Sequence, residues 1–104
     1  MNNPSISSRL RPVLFVQIND IYHIDASADY LNSKSLLLPR VATLLKGMRG
    51  SYGRKRVFFC LPGDFLGLSC LSQEFKGKQM IDVLNSMAPD FVTFGNHEFD
   101  FRYP

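Results

Sequence analysis

Short apolar runs and helical stripes alternate along this chain, and each apolar run stops at polar residues able to carry chemistry. The first run, residues 13–18, is rich in β-branched and aromatic side chains. Such a run predicts a buried strand. It ends at Asn19-Asp20, and a polar stretch continues to about Lys34. Leu37, Val41, Leu44 and Met48 then repeat at helical spacing, with Leu38 and Leu45 flanking the same face. Pro39 is tolerated only in a first turn, so the regular helix is expected to begin near Leu38 or Pro39. Gly47, Gly50 and Gly53 are expected to end it. Residues 57–61 form a second apolar run, stopped by Pro62-Gly63-Asp64, and a mixed loop follows. Met80, Val83, Leu84 and Met87 mark a second helix over about 78–88, closed by Pro89. Residues 91–94 predict a third strand, stopped by Gly95-Asn96-His97. The order β-α-β-α-β, without internal repeats, implies an α/β fold with right-handed crossovers and a parallel sheet.

Size and composition narrow the picture without changing it. With 104 residues there is room for one domain or a piece of one, and none for two domains or a repeat array. A hydrophobic fraction of 45% with 20% charged residues excludes wholesale disorder. Residues 1–12, rich in Asn and Ser with Pro4 and Pro12, read as a flexible leader to a unit spanning 13–104. The net charge of +3 is modest, and its densest cluster is Arg54-Lys55-Arg56. That cluster reads as a solvated loop leading into a strand, too short for a nucleic-acid face. Cys60, inside an apolar run, reads as a buried thiol; a pairing with Cys70 stays open, and no cysteine framework exists. Neither a signal-type apolar segment nor a membrane-length one is present in the sequence, so the expectation is a cytoplasmic chain with no membrane partner.

The informative feature is where the polar residues fall. Asn19-Asp20 with His23, Gly63-Asp64, and Asn96-His97-Glu98 each follow a predicted strand. In a parallel sheet those three ends share one edge, where α/β proteins place their ligands. Asn-Asp at 19–20, Gly-Asp-Phe-Leu-Gly at 63–67 and Gly-Asn-His-Glu-Phe-Asp at 95–100 resemble, in that order, the calcineurin-like metallophosphoesterases, and within them the 5′-nucleotidase branch. The last motif is the specific one. The resemblance covers roughly residues 13–100 and corresponds to the front portion of that family's catalytic domain. It implies that 13–104 is the β-α-β-α-β front half of a metallophosphoesterase-type α/β sandwich with a mainly parallel sheet.

The same resemblance implies a phosphoric ester hydrolase with two divalent ions (Mn, Zn, Fe or Mg), acting on a phosphate-ester or nucleotide substrate. Asp64 would be the bridging ligand, Asp20 a ligand of the first ion and Asn96, through its side-chain oxygen, of the second. His97 would be the catalytic histidine, stabilising phosphoryl charge or protonating the leaving oxygen. Asp100 would orient His97 and hold it charged. Glu98 would either support the ligands or serve local packing.

Two departures from the family pattern bear on this. The family has Asp-x-His after its first strand, whereas this chain has Asp20-Ile21-Tyr22-His23, which puts Tyr22 at the histidine position. His23, one residue late, would turn away in an extended loop unless a bulge restores it as a ligand. The family also completes its ligand set from later Gly-His and Gly-His-x-His segments, and the only histidines of this sequence are His23 and His97. The expectation is therefore a front fragment with little hydrolase activity by itself. The alternative is an inactive derivative serving as a binding or interaction module. Open edges on a three-stranded sheet favour self-association.

Overall fold

Three parallel strands organise the protein. The computed structural model describes residues 10–24 and 38–101. Most of the leader over 1–12, and the polar stretch beyond Ile24, lie outside the described residues. The elements are β1 (Leu14–Gln17), α1 (Leu38–Tyr52), β2 (Val57–Leu61), α2 (Cys70–Phe75), α3 (Lys78–Ser86) and β3 (Phe91–Val92). The sheet order is β1-β2-β3, with Phe15 opposite Phe58 and Cys60 opposite Phe91. This is the mixed α/β arrangement with a parallel sheet that the alternating pattern predicts.

The element bounds differ from the sequence expectation for identifiable reasons. α1 continues through Gly47 and Gly50, where an added Cβ would meet nothing. Both face open space, so each weakens the helix by about 1 kcal/mol relative to alanine without breaking it. Gly53, at φ +91, is the residue that ends it. β3 is shorter than 91–94 because its partner stops at Leu61: the last bond between them runs from Thr93 N–H to the Leu61 carbonyl, 2.9 Å. α3 stops at Ser86 because Ala88 turns into the left-handed region at φ +53. α2 has no counterpart in the expected elements. Ser69 caps it by accepting from Ser72 N–H at 3.0 Å, and its Leu71 and Phe75 are exposed, so it has no apolar stripe to betray it.

Alternation along β2 divides the sheet into two unlike faces. Val57, Phe59 and Leu61 are buried against Leu38, Val41 and Leu45 of α1 and Met80 and Leu84 of α3. Each fully buried large apolar side chain here stabilises the fold by roughly 1.5–3 kcal/mol. The other face carries Phe15, Phe58 and Phe91 side by side, with successive ring centroids 5.4 and 5.9 Å apart. Cys60 shares that face and is half-buried rather than buried; it and Cys70 are both free thiols.

Arg54 is also not merely solvated. It forms an ion pair with Asp90 at 2.8 Å, and Asp90 further accepts from Phe59 N–H at 2.8 Å. Arg49 of α1 donates to the Met87 and Ala88 carbonyls at 2.9 and 2.8 Å. Together these contacts fasten α1 and β2 to the turn that enters β3. Among the described residues, no helix is long and apolar enough to cross a membrane.

Candidate functional site

Three loops leave the C-terminal ends of the strands, and backbone bonds tie them together. After β1, Asp20 adopts φ +54, a left-handed conformation that aspartate tolerates better than most residues. After β2, Gly63 and Asp64 follow at φ +109 and +57. Ile21 N–H donates to the Asp64 carbonyl at 2.9 Å, joining the first loop to the second. The third loop holds Gly95, Asn96 and a 3-10 turn over His97–Phe99. There, Asp64 Oδ1 accepts from His97 N–H at 3.0 Å. Gly63 and Gly95 permit this approach: a Cβ on Gly63 would strike the Gly95 backbone, and one on Gly95 would strike the Asp64 carboxylate.

Glu98 locks the second loop to the third. It is 5% exposed, and both of its oxygens accept backbone donors. Oε2 takes Asp64 N–H at 2.8 Å and Gly95 N–H at 2.6 Å. Oε1 takes Phe65 N–H at 2.7 Å and Leu66 N–H at 3.2 Å. Glu98 thus anchors backbone, a role that neither of the two readings of the motif named. This single side chain holds Asp64 and His97 in register across 33 residues of sequence or more, through bonds to loops that carry no regular structure.

His97 and Asp100 form a close pair, Nδ1 to Oδ2 at 2.6 Å. The bond to Asp100 is the main cause holding the imidazole above its usual range; the Asp100, Asp64 and Glu98 charges add to this, against partial desolvation. Protonated, Nδ1–H donates to Asp100, and Nε2–H remains a second donor. Gly67 explains the last glycine of the 63–67 motif. A Cβ there would lie 2.8 Å from Asp100 Oδ2 and 3.1 Å from His97 Cβ.

Tyr22, and not His23, faces this cluster. Its hydroxyl donates to Asp20 Oδ1 at 3.0 Å, and its ring meets His97 edge-on with centroids 5.6 Å apart. Burial, the hydrogen bond to Asp20, and the Asp20, Asp64 and Glu98 charges push the phenol up to about 12. His23 is exposed and bonds to no described residue. This is the ungapped register, with Tyr22 rather than His23 against the cluster. Tyr22 is the site residue that a search for ligand types passes over, although the ungapped register marks its position.

The donor set suits part of a metal centre. Asp64 keeps Oδ2 free of donors among the described residues, and the exposed Asn96 directly precedes His97 on the third loop. Carboxylate and carboxamide oxygens are ligands that hard divalent cations accept. Asp20 fits less well, because Tyr22 and Asn19 Nδ2 already donate to its two oxygens. Among the described residues, no three His, Cys, Asp or Glu side chains form a group able to hold an ion. Compared with known proteins, the chain matches no family model, no curated protein and no solved structure.

Proposed function

We propose that this chain is the front half of a metallophosphoesterase-type catalytic domain, of the 5′-nucleotidase-like kind, and that its parent reaction is hydrolysis of a phosphate ester. The observation that carries this reading is the His97–Asp100 pair beside Asp64 at the ends of parallel strands. Divalent ions, when bound at such a site, supply an activated water and a clamp on the phosphoryl oxygens. Asp64 and Asn96 are the residues that would hold an ion here. His97 contributes a positive, hydrogen-bonding edge toward the phosphate or the leaving oxygen, and Asp100 keeps that edge charged and oriented. Glu98 sets the spacing between ligand and histidine loops. The histidine ligands of later family motifs are not among the two histidines of this sequence. The chain by itself then supplies roughly half of a metal centre and hydrolyses little.

A Mn²⁺ titration of the 104-residue chain tests this, run beside Asp64→Ala and Asn96→Ala. Affinity should fall at least ~10-fold in each variant, the lower end of what is lost when even a supporting partner of a metal ligand is removed. Equal affinity in all three proteins refutes the reading. In parallel, phosphate release from p-nitrophenyl phosphate should stay near the uncatalysed rate. Robust Mn²⁺-dependent turnover abolished by Asp64→Ala would show instead that this chain is a sufficient enzyme.

A further inference from the structure

The helical layer covers β2 but stops short of β3. Leu61 and Val92 are paired across the two strands, and paired residues of a parallel ladder point to the same face. Leu61 is 2% exposed, in one core cluster with Leu84 of α3, whereas Val92 is 48% exposed. The gap between α3 and β3 is a cavity of about 440 Å³, within the roughly 300–1,000 Å³ of small-molecule sites. Buried Leu61, Phe65 and Leu84 form its floor, and exposed Ile81, Val92 and Phe94 its rim. The Phe94 ring is braced edge-on by Phe99, with centroids 6.1 Å apart. The charged part of the lining has one sign. Lys76 and Lys78 both line the cavity, and none of its lining residues is acidic. Their turn is pressed against the cavity wall: a Cβ on Gly77, between them, would lie 3.0 Å from the lining residue Leu66. Lys76 pairs with no carboxylate among the described residues, and its Nζ lies 5.9 Å from the Phe101 ring centroid. Lys78 meets Asp82 at 2.8 Å, but both side chains are exposed, so water screens the pair and the ammonium keeps further donors.

We propose that this cavity binds a small organic anion with an apolar body, of the medium-chain carboxylate class. The hydrocarbon fills the gap between α3 and β3, and Lys76 and Lys78 hold the head group. Such a body removes the apolar surface of Ile81, Val92 and Phe94 from water, and charge-assisted hydrogen bonds at the rim fix its direction. A neutral or cationic amphiphile buries the same apolar area but offers the lysines no partner. None of Asp64, Asn96 and His97 lines the cavity, and the site is independent of the phosphoesterase reading.

Decanoate is the probe, titrated into the full chain by calorimetry, with decyltrimethylammonium as a cationic control of equal tail length. Methyl NMR spectra locate the bound tail. The native chain should bind decanoate, with shifts centred on Ile81, Leu84 and Val92, and should bind the cation at least about tenfold more weakly. The double variant Lys76→Gln, Lys78→Gln should lose about tenfold or more in decanoate affinity, the worth of a hydrogen bond to a charged group, without losing affinity for the cation. Ile81→Trp, which puts an indole at the rim of the gap, should abolish binding of both. Absence of decanoate binding to the native chain, equal affinity in the double lysine variant, or shifts centred elsewhere overturns the proposal. So does a native chain that dimerises through this face and stays dimeric in decanoate. If Ile81→Trp loses the native circular dichroism, the lysine variant still decides, because both of its positions are exposed and leave the core untouched.

Discussion

Glu98→Ala isolates the most heavily used side chain at the site. The substitution deletes the acceptor for Asp64, Phe65, Leu66 and Gly95 N–H at once. The bonds from Phe65 and Leu66 are buried, and those from Asp64 and Gly95 are part-buried. A buried donor left unpaired costs roughly 1–3 kcal/mol, whereas a donor that water can reach loses only about 0.5–1.5 kcal/mol of net bond. With partial relaxation of the loops, the expected loss is about 3–5 kcal/mol. A domain of this length holds only about 5–15 kcal/mol in total, so the variant should be near the edge of folding.

Urea unfolding followed by far-UV circular dichroism measures the loss, with an unchanged slope showing that the unfolded states are comparable. Glu98→Gln separates charge from shape: one carboxamide oxygen can still accept, but its NH₂ is aimed at two N–H donors, so it should recover less than half of the loss. Amide spectra of either variant should show displacement of Asp64 and His97 ahead of any change in α1 or β1. A loss below about 1 kcal/mol in Glu98→Ala, the worth of a single ordinary hydrogen bond, refutes the anchoring role.

Other expectations follow from the same geometry. Gly95→Ala places a methyl against the Asp64 carboxylate and should destabilise the protein by about 1–3 kcal/mol, the range for overpacking, while shifting the His97 resonances. Gly50→Ala meets nothing and lies inside α1, so it should raise the thermal midpoint, by up to about 1 kcal/mol of added stability; an equal loss in both variants would refute the contrast. His97 should titrate above its ordinary 6.5, read from its ring proton shifts, and Asp100→Asn should bring it down. Because its folded-state value is raised, its stabilising contribution is complete below 6.5 and disappears as pH rises through the folded-state value. Asp90 has the opposite sign. Arg54 holds its carboxyl below 3.8, so its contribution is present above 3.8 and is lost as pH falls through the lower folded value, a dependence that Asp90→Asn should abolish in acid titrations of stability.

What the sequence made legible were features fixed by local chemistry. β2 is readable because residues 57–61 are apolar on both faces, and the loop chemistry is readable because Asp64 and His97 lie in the loops that follow the strand ends at Leu61 and Val92. Gly53 could not be distinguished from Gly47 and Gly50 by type, since the difference lies in φ and not in identity. α2 was hidden because it is held by a serine cap and not by an apolar stripe.

Glu98 illustrates the deeper limit. Nothing in a six-residue motif says that its carboxylate will meet the backbone of Asp64, Phe65 and Leu66, because those partners are supplied by another loop some 32 to 34 residues earlier. The burial of an ionisable side chain is reasonable only if such partners exist, since an unpaired carboxylate there would cost several kcal/mol. A buried glutamate directly after a glycine turn and a histidine therefore implies backbone donors from elsewhere. The glycines at 63 and 95 then acquire a shared explanation: they are the positions at which those two loops touch. Tyr22 obeys the same logic from the opposite direction. Its register places it among the carboxylates, and the pairing with Asp20 follows from a neutral phenol's being a donor beside a carboxylate acceptor.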